Sequence, residues 1–152
     1  MINQFKILSG GQTGVDRAAL DYAIENNINH GGYCPKGRKS EDGRIPDKYN
    51  LKETSTSEYS ERTEKNLTET DGTLIVIYGN LTGGSKLTFD LCNKLKKPVY
   101  VVDASLEIEK VISEFKRWFL KHNIKRLNIA GPRASEINGV FDPKKVIQLL
   151  IQ

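Results

Sequence analysis

Two glycine-rich turns, each directly behind an apolar run, hold the residue types that bind anions. The first is Ser9-Gly10-Gly11-Gln12-Thr13-Gly14, after Phe5-Lys6-Ile7-Leu8. The second is Tyr78-Gly79-Asn80-Leu81-Thr82-Gly83-Gly84-Ser85, after Leu74-Ile75-Val76-Ile77. Glycine admits positive φ and lets a ligand come close to the backbone. A helix starting behind such a turn offers unpaired N–H groups and the positive end of its dipole, a setting that suits phosphate. Ser85 and Thr88 add hydroxyls, and Lys86 in the first turn opposes the dipole unless an anion lies nearby. The bland reading of either turn is a tight strand-to-helix connection. Neither is a P-loop, and the spacing of Gly10, Gly11 and Gly14 is not GxGxxG.

The cations point the same way. Of seven arginines, Arg17, Arg38, Arg44, Arg62 and Arg133 fall in turns or motif-like segments. A guanidinium fork suits bidentate phosphate binding better than an ammonium does. Asp16 and Arg17 at a helix start could hold hydroxyls and phosphate, or form a plain surface ion pair. Lys36 and Arg38 flank Gly37 at a strand end and read as anion ligands or as a solvated basic loop. Tyr59, Arg62, Thr63 and Asn66 recur at helical spacing and make one polar face where a core stripe is expected. The expected binding set is Gly10, Gly11, Gln12, Thr13, Gly14, Asp16, Arg17, Lys36, Arg38, Arg62, Gly83, Gly84, Ser85, Thr88 and Arg133. Glu41-Asp42-Gly43 reads as a turn and no resident metal is expected. His30 and His122 read as structural. No Ser-His-Asp, Cys-His or paired-carboxylate signature is present.

These residues need a scaffold. The pattern predicts strands at 5–9, 31–34, 73–78, 99–102 and 126–130. Helices are expected from Thr13, as N-cap, to about residue 27, then at 58–70, 85–97 and 106–122, and at 144–151 behind Asp142-Pro143. Ser55 and Glu58 suggest a capping box. Residues 35–57 show no period and read as a long loop, functional or disordered. Strands alternating with helices imply a single α/β domain over 1–152, a three-layer Rossmann-like parallel sheet of about five strands with helices on both faces. The expected order is 2-1-3-4-5, with a topological switch between strands one and three, from which both glycine turns leave.

Composition removes some classes. The chain has 152 residues, 38% hydrophobic and 28% charged, which fits one globular domain. No apolar run approaches a membrane span of roughly 18 residues. Residues 1–5 lack the basic and apolar regions of a secretory leader. Cys34 and Cys92 lack metal or redox spacing, so a reduced, cytoplasmic protein is expected. The net charge of +4 comes with scattered lysines, which argues against nucleic acid as partner.

Segments 10–21, 31–38, 41–51, 59–66 (Tyr-x-x-Arg-Thr-x-x-Asn), 71–75 and 130–135 (Ala-Gly-Pro-Arg-Ala-Ser) together resemble the molybdenum-cofactor carrier protein family, in order and over nearly the whole chain. The resemblance implies a Rossmann-type fold, a homo-oligomer (dimer or tetramer) and the phosphorylated pterin cofactor of molybdenum as a carried ligand rather than a substrate. More distantly the chain resembles the Lonely Guy phosphoribohydrolases and lysine-decarboxylase-like proteins. Their Gly-Gly-x-Gly-Thr-x-x-Glu motif aligns loosely with Gly83 to Asp90, with Lys86, Leu87 and Asp90 departing from it. The expected function is binding of a phosphorylated small molecule, a molybdopterin or a nucleotide. The alternative is cleavage of a base–ribose bond with Asp90 or Asp16 as the carboxylate.

Overall fold

The computed structural model describes residues 4–152; the leader reading lies partly on residues 1–3, outside them. The central elements are β1 (Lys6–Leu8), α1 (Val15–Glu25), β2 (His30–Gly31), β3 (Tyr33–Cys34), β4 (Lys39–Ser40), β5 (Gly43–Arg44), β6 (Lys52–Glu53) and α2 (Tyr59–Thr68). Then come β7 (Gly72–Ile77), α3 (Gly83–Lys94), β8 (Val99–Asp103), a 3-10 turn (Ile108–Lys110), α4 (Ile112–Lys121), β9 (Arg126–Ala130), α5 (Ala134–Ile137) and α6 (Pro143–Ile151).

Five strands form one parallel sheet. β7 is buried at all six residues, as a strand covered on both faces must be. On one face Leu74, Val76, Leu127 and Ile129 pack with Val15 and Ala19 of α1, Phe115 and Phe119 of α4, and Ile147 and Leu150 of α6. The alternate residues Thr73 and Asn128 point to the opposite face, toward α2 and α3, and Asn128 Nδ2 donates to Thr73 Oγ1 at 3.3 Å. The class, the three layers and the parallel sheet agree with expectation.

The strand order is β2-β1-β9-β7-β8. The expected order placed the 73–78 strand beside β1; β9, the last strand in sequence, occupies that position. Lys6 pairs with Arg126 on one side of β9, and Gly72 with Leu127 on the other. The right-handed crossover rule fixes a connection's hand but not how many strands it passes. The two glycine turns therefore leave strands separated by β9, and the end of β9 lies between them.

The expected 31–34 strand is broken at Gly32. Its φ is +126°, and a Cβ there would collide with the Ser9 carbonyl. Gly31 stays with β1, whereas Tyr33 and Cys34 turn away to pair with Lys52 and Glu53. The 35–57 loop is ordered. β4 and β5 form a hairpin, and Ile45, Tyr49 and Leu51 join Leu20 and Cys34 in a second apolar cluster. Elements two residues long cannot show a period, which is why the sequence concealed them.

Two expected caps are replaced. Gly14, not Thr13, precedes α1, and the Thr13 hydroxyl serves other partners. Glu58 precedes α2 without a side-chain cap. Glu61 instead accepts from Ser55 Oγ at 2.6 Å and from Thr56 N at 2.8 Å.

Candidate functional site

A depression opens at the C-terminal ends of β1, β9 and β7. It is lined by Gly10 and Gln12 from the first glycine turn, by Asp16 of α1, and by the Tyr59, Arg62, Thr63 and Asn66 face of α2. Gly84, Ser85 and Thr88 of α3, Asn128 of β9, and Gly131, Arg133 and Glu136 behind it also line it. The two glycine turns thus meet in one pocket.

The cationic wall is Arg62. Its Nη1 donates to the Gly10 carbonyl at 2.9 Å and lies 3.6 Å from Asp16 Oδ2. A Cβ on Gly10 would strike this guanidinium, so glycine is what allows the approach. Three cations surround the Tyr59 ring: Arg62 Cζ and Arg133 Cζ at 5.5 Å, and Lys39 Nζ at 4.6 Å. Cation–π contacts add to the ion pairs that Arg62 makes with Asp16 and Arg133 with Glu136.

Asp16 is 7% exposed. Burial raises its pKa to about 6 against the opposing pull of Arg62 and the Gln12 N–H, which donates to Asp16 Oδ2 at 3.3 Å. Removing a carboxylate from water disfavours its charged form, and Arg62 compensates only in part. Glu136 is the second carboxylate of the lining. Its Oε1 accepts from the Arg133 N–H at 3.3 Å and lies 3.5 Å from Arg133 Nε.

At the start of α3, Thr82 makes no side-chain capping bond, so the first N–H groups of that helix have no such partner. A Cβ placed on Gly84 would meet nothing within 4 Å. That end of the pocket is open space beside backbone donors.

Of the expected binding residues, Gly10, Gln12, Asp16, Arg62, Gly84, Ser85, Thr88 and Arg133 share the pocket. The others do not line it. Gly11 has φ +79° and faces Leu51 and Ile45. Gly14 fits against the backbone of Pro132 to Ala134. Thr13 Oγ1 donates to Glu41 and accepts from the Ala134 N–H at 3.0 Å. The amides of Gln12 and Thr13 are occupied by Asp16 and by Gln12 Oε1, so the first turn offers fewer donors than its glycines suggest.

Arg17 reaches Asp42 at 2.5 Å and the Gly11 carbonyl at 3.1 Å. Lys36 is exposed in the loop. Arg38 is 7% exposed and donates to the carbonyls of Ile45, Pro46, Tyr49 and Leu51, which makes it the organiser of the 35–57 segment. Gly83 lies outside the lining, next to Glu136 Oε2. Asp90, the alternative carboxylate, is on the exposed side of α3 with Lys86 Nζ at 2.8 Å. That pair also explains Lys86 without a nearby anion.

A family model described as the circularly permutated YpsA SLOG family matches residues 7–150. The chain belongs to that family. A permuted chain order is in keeping with a last strand that sits in the middle of the sheet. This SLOG protein is 46% identical to a protein of Syntrophus aciditrophicus SB whose crystal structure is called that of a "Putative molybdenum carrier protein". The match covers 97% of this chain and 94% of that one, with a TM-score of 0.93. A structure of (E)-4-hydroxy-3-methyl-but-2-enyl diphosphate reductase matches at 16% identity, 97% of this chain, 58% of that one and a TM-score of 0.39, too low to support any argument. Among curated proteins none matches significantly.

Two polar residues that line the depression carried no such signal in the sequence. Asn128 sits on β9 between Leu127 and Ile129, where a polar residue inside an apolar run is the only clue. Glu136 lies on a helix of four residues, too short to show a period. Asn66 was singled out, but its amide is engaged: Oδ1 accepts from the Tyr33 N–H at 2.8 Å and Nδ2 donates to the Tyr33 carbonyl at 3.0 Å. It shapes the wall by holding β3. No helix among the described residues is long and apolar enough to cross a membrane.

Proposed function

We propose that this protein binds and carries a small phosphorylated molecule in the pocket between the two glycine turns, a nucleotide or the molybdenum cofactor. The observation that carries this reading is the convergence of Arg62, Arg133 and the uncapped start of α3 on one cleft at the C-terminal sheet edge. Oxyanions are held by such combinations of guanidinium and helix N–H groups. The name given to the 46%-identical relative supports a carrier role. Gly84, Ser85 and Thr88 supply backbone and hydroxyl donors, Arg62 and Arg133 the charge. Asp16, 3.6 Å from the Arg62 guanidinium, faces the ligand's hydroxyls.

A thermal-shift panel of nucleotides, sugar phosphates and pterin phosphates tests the reading. A ligand present at 100 times its Kd stabilises by about 2.7 kcal/mol. No shift with any phosphorylated compound contradicts the proposal.

Base–ribose cleavage has one observation in its favour. Asp16, unlike Asp90, lies in the pocket with a pKa near 6, a range suited to proton transfer near neutral pH. Base release from nucleoside monophosphates that is lost in Asp16→Asn selects this reading. Silence across such a panel rejects it.

A further inference from the structure

A second depression adjoins the first and is walled by Ile77, Pro132, Ile137, Val140 and the stacked pair Tyr78 and Phe141. The two rings lie 15° from parallel with centroids 5.7 Å apart. Tyr78 is 46% exposed and Val140 57%, so apolar surface remains uncovered directly behind the most buried strand of the sheet. Ser85 and Glu136 line both depressions, which makes them two lobes of one cleft on either side of the first turn of α3. One lobe carries the guanidiniums of Arg62 and Arg133 with their partner carboxylates Asp16 and Glu136, and the other is aromatic, with Asn80 and Thr82 as the polar members it does not share.

We infer that the aromatic lobe is a ring subsite. The molecule bound here carries a planar nitrogen heterocycle on its phosphate ester, with the ring against Tyr78 and Phe141 and the phosphate beside Arg62 and α3. This rests on the phosphate reading above and adds to it. Flat heterocycles gain affinity by lying on aromatic side chains whatever their hydrogen-bonding pattern. Asn80 and Thr82 are placed to meet the polar edge of the ring. Occupancy of both lobes at once requires a linker that passes Ser85 and Glu136, the two residues the lobes share.

Calorimetric titration of the full chain compares ribose 5-phosphate with two ring-bearing probes, AMP and 6-hydroxymethylpterin phosphate. At least one ring-bearing probe binds about tenfold or more tightly than ribose 5-phosphate, the worth of one stacked base. Tyr78→Ala removes that gain and leaves ribose 5-phosphate affinity unchanged. Tyr78→Leu keeps the bulk and also loses most of the gain, which guards against a folding effect. Which probe gains distinguishes a nucleoside from a pterin source of the ring. If ribose 5-phosphate binds and neither ring adds affinity, or the gain survives Tyr78→Ala, the ring subsite is overturned and the phosphate pocket stands. If no probe binds, both readings fall.

Discussion

Arg62 Nη1 donates to the Gly10 carbonyl at 2.9 Å, joining α2 to the turn behind β1 across 52 residues. This bond ties the more buried of the cleft's two guanidiniums to the first glycine turn, and the missing Cβ of Gly10 is what permits it. Gly10→Ala pushes the guanidinium aside while leaving the surrounding backbone in place, because the obstructed atoms are the end of a flexible side chain. The expected outcome is a folded protein whose affinity for ribose 5-phosphate falls about tenfold, the scale of one charge-assisted hydrogen bond. Isothermal titration with a parallel circular dichroism melt reads both.

Asp16 makes stability depend on pH. Its folded pKa of about 6 lies above the ordinary 3.8, so the folded state holds its proton more tightly than the unfolded chain. The resulting stabilisation is complete below pH 4, is lost as pH rises through about 6, and is absent above that. The total is on the order of 3 kcal/mol. Asp16→Asn removes the dependence. Relative to wild type, the variant gains stability between pH 4 and pH 7. Urea denaturation at pH 4.5 and 7.5 measures the difference, and equal shifts at both pH values would contradict a raised Asp16 pKa.

Arg38 supports the 35–57 segment rather than a ligand. Arg38→Ala leaves four carbonyls without their donor and should cost at least about 3 kcal/mol of stability. Arg38→Lys does not restore it, because an ammonium cannot span the same acceptors. Chemical denaturation of both variants checks the size and the failed rescue.

Glu41 fastens the β4–β5 hairpin to the segment behind β9. Its Oε1 accepts from Ser135 Oγ at 2.6 Å and its Oε2 from the Ser135 N–H at 3.1 Å, and these bonds hold its pKa below the usual carboxylate range. Glu41→Ala frees both ends. Hydrogen–deuterium exchange should quicken in 39–44 and 134–138 together and stay unchanged in β7.

Much of this was legible in the sequence because it rests on local pattern. The apolar run 74–77 announced a central strand, and the spacing of Tyr59, Arg62, Thr63 and Asn66 announced a face that turns out to line the cleft. What stayed hidden depends on distant partners. Nothing near residues 126–130 reveals that β9 inserts between β1 and β7, since either neighbour would bury it equally. Arg17 and Arg38 looked like anion ligands because a guanidinium that binds phosphate and one that binds Asp42 or carbonyls have the same sequence. Gly11 packs against the Leu51 and Ile45 side chains and Gly14 against the backbone of 132–134, roles that glycine spacing cannot separate from ligand contact.

The most direct test of the phosphate cleft is an amide chemical-shift titration of the 15N-labelled protein with ribose 5-phosphate and AMP. The account predicts concerted shifts at Gly84 and Ser85 at the start of α3, and at Gly11, whose peptide bond carries the carbonyl bound by Arg62. Shifts confined to another surface, such as that around Tyr100 and Trp118, or no shifts at all, would contradict it.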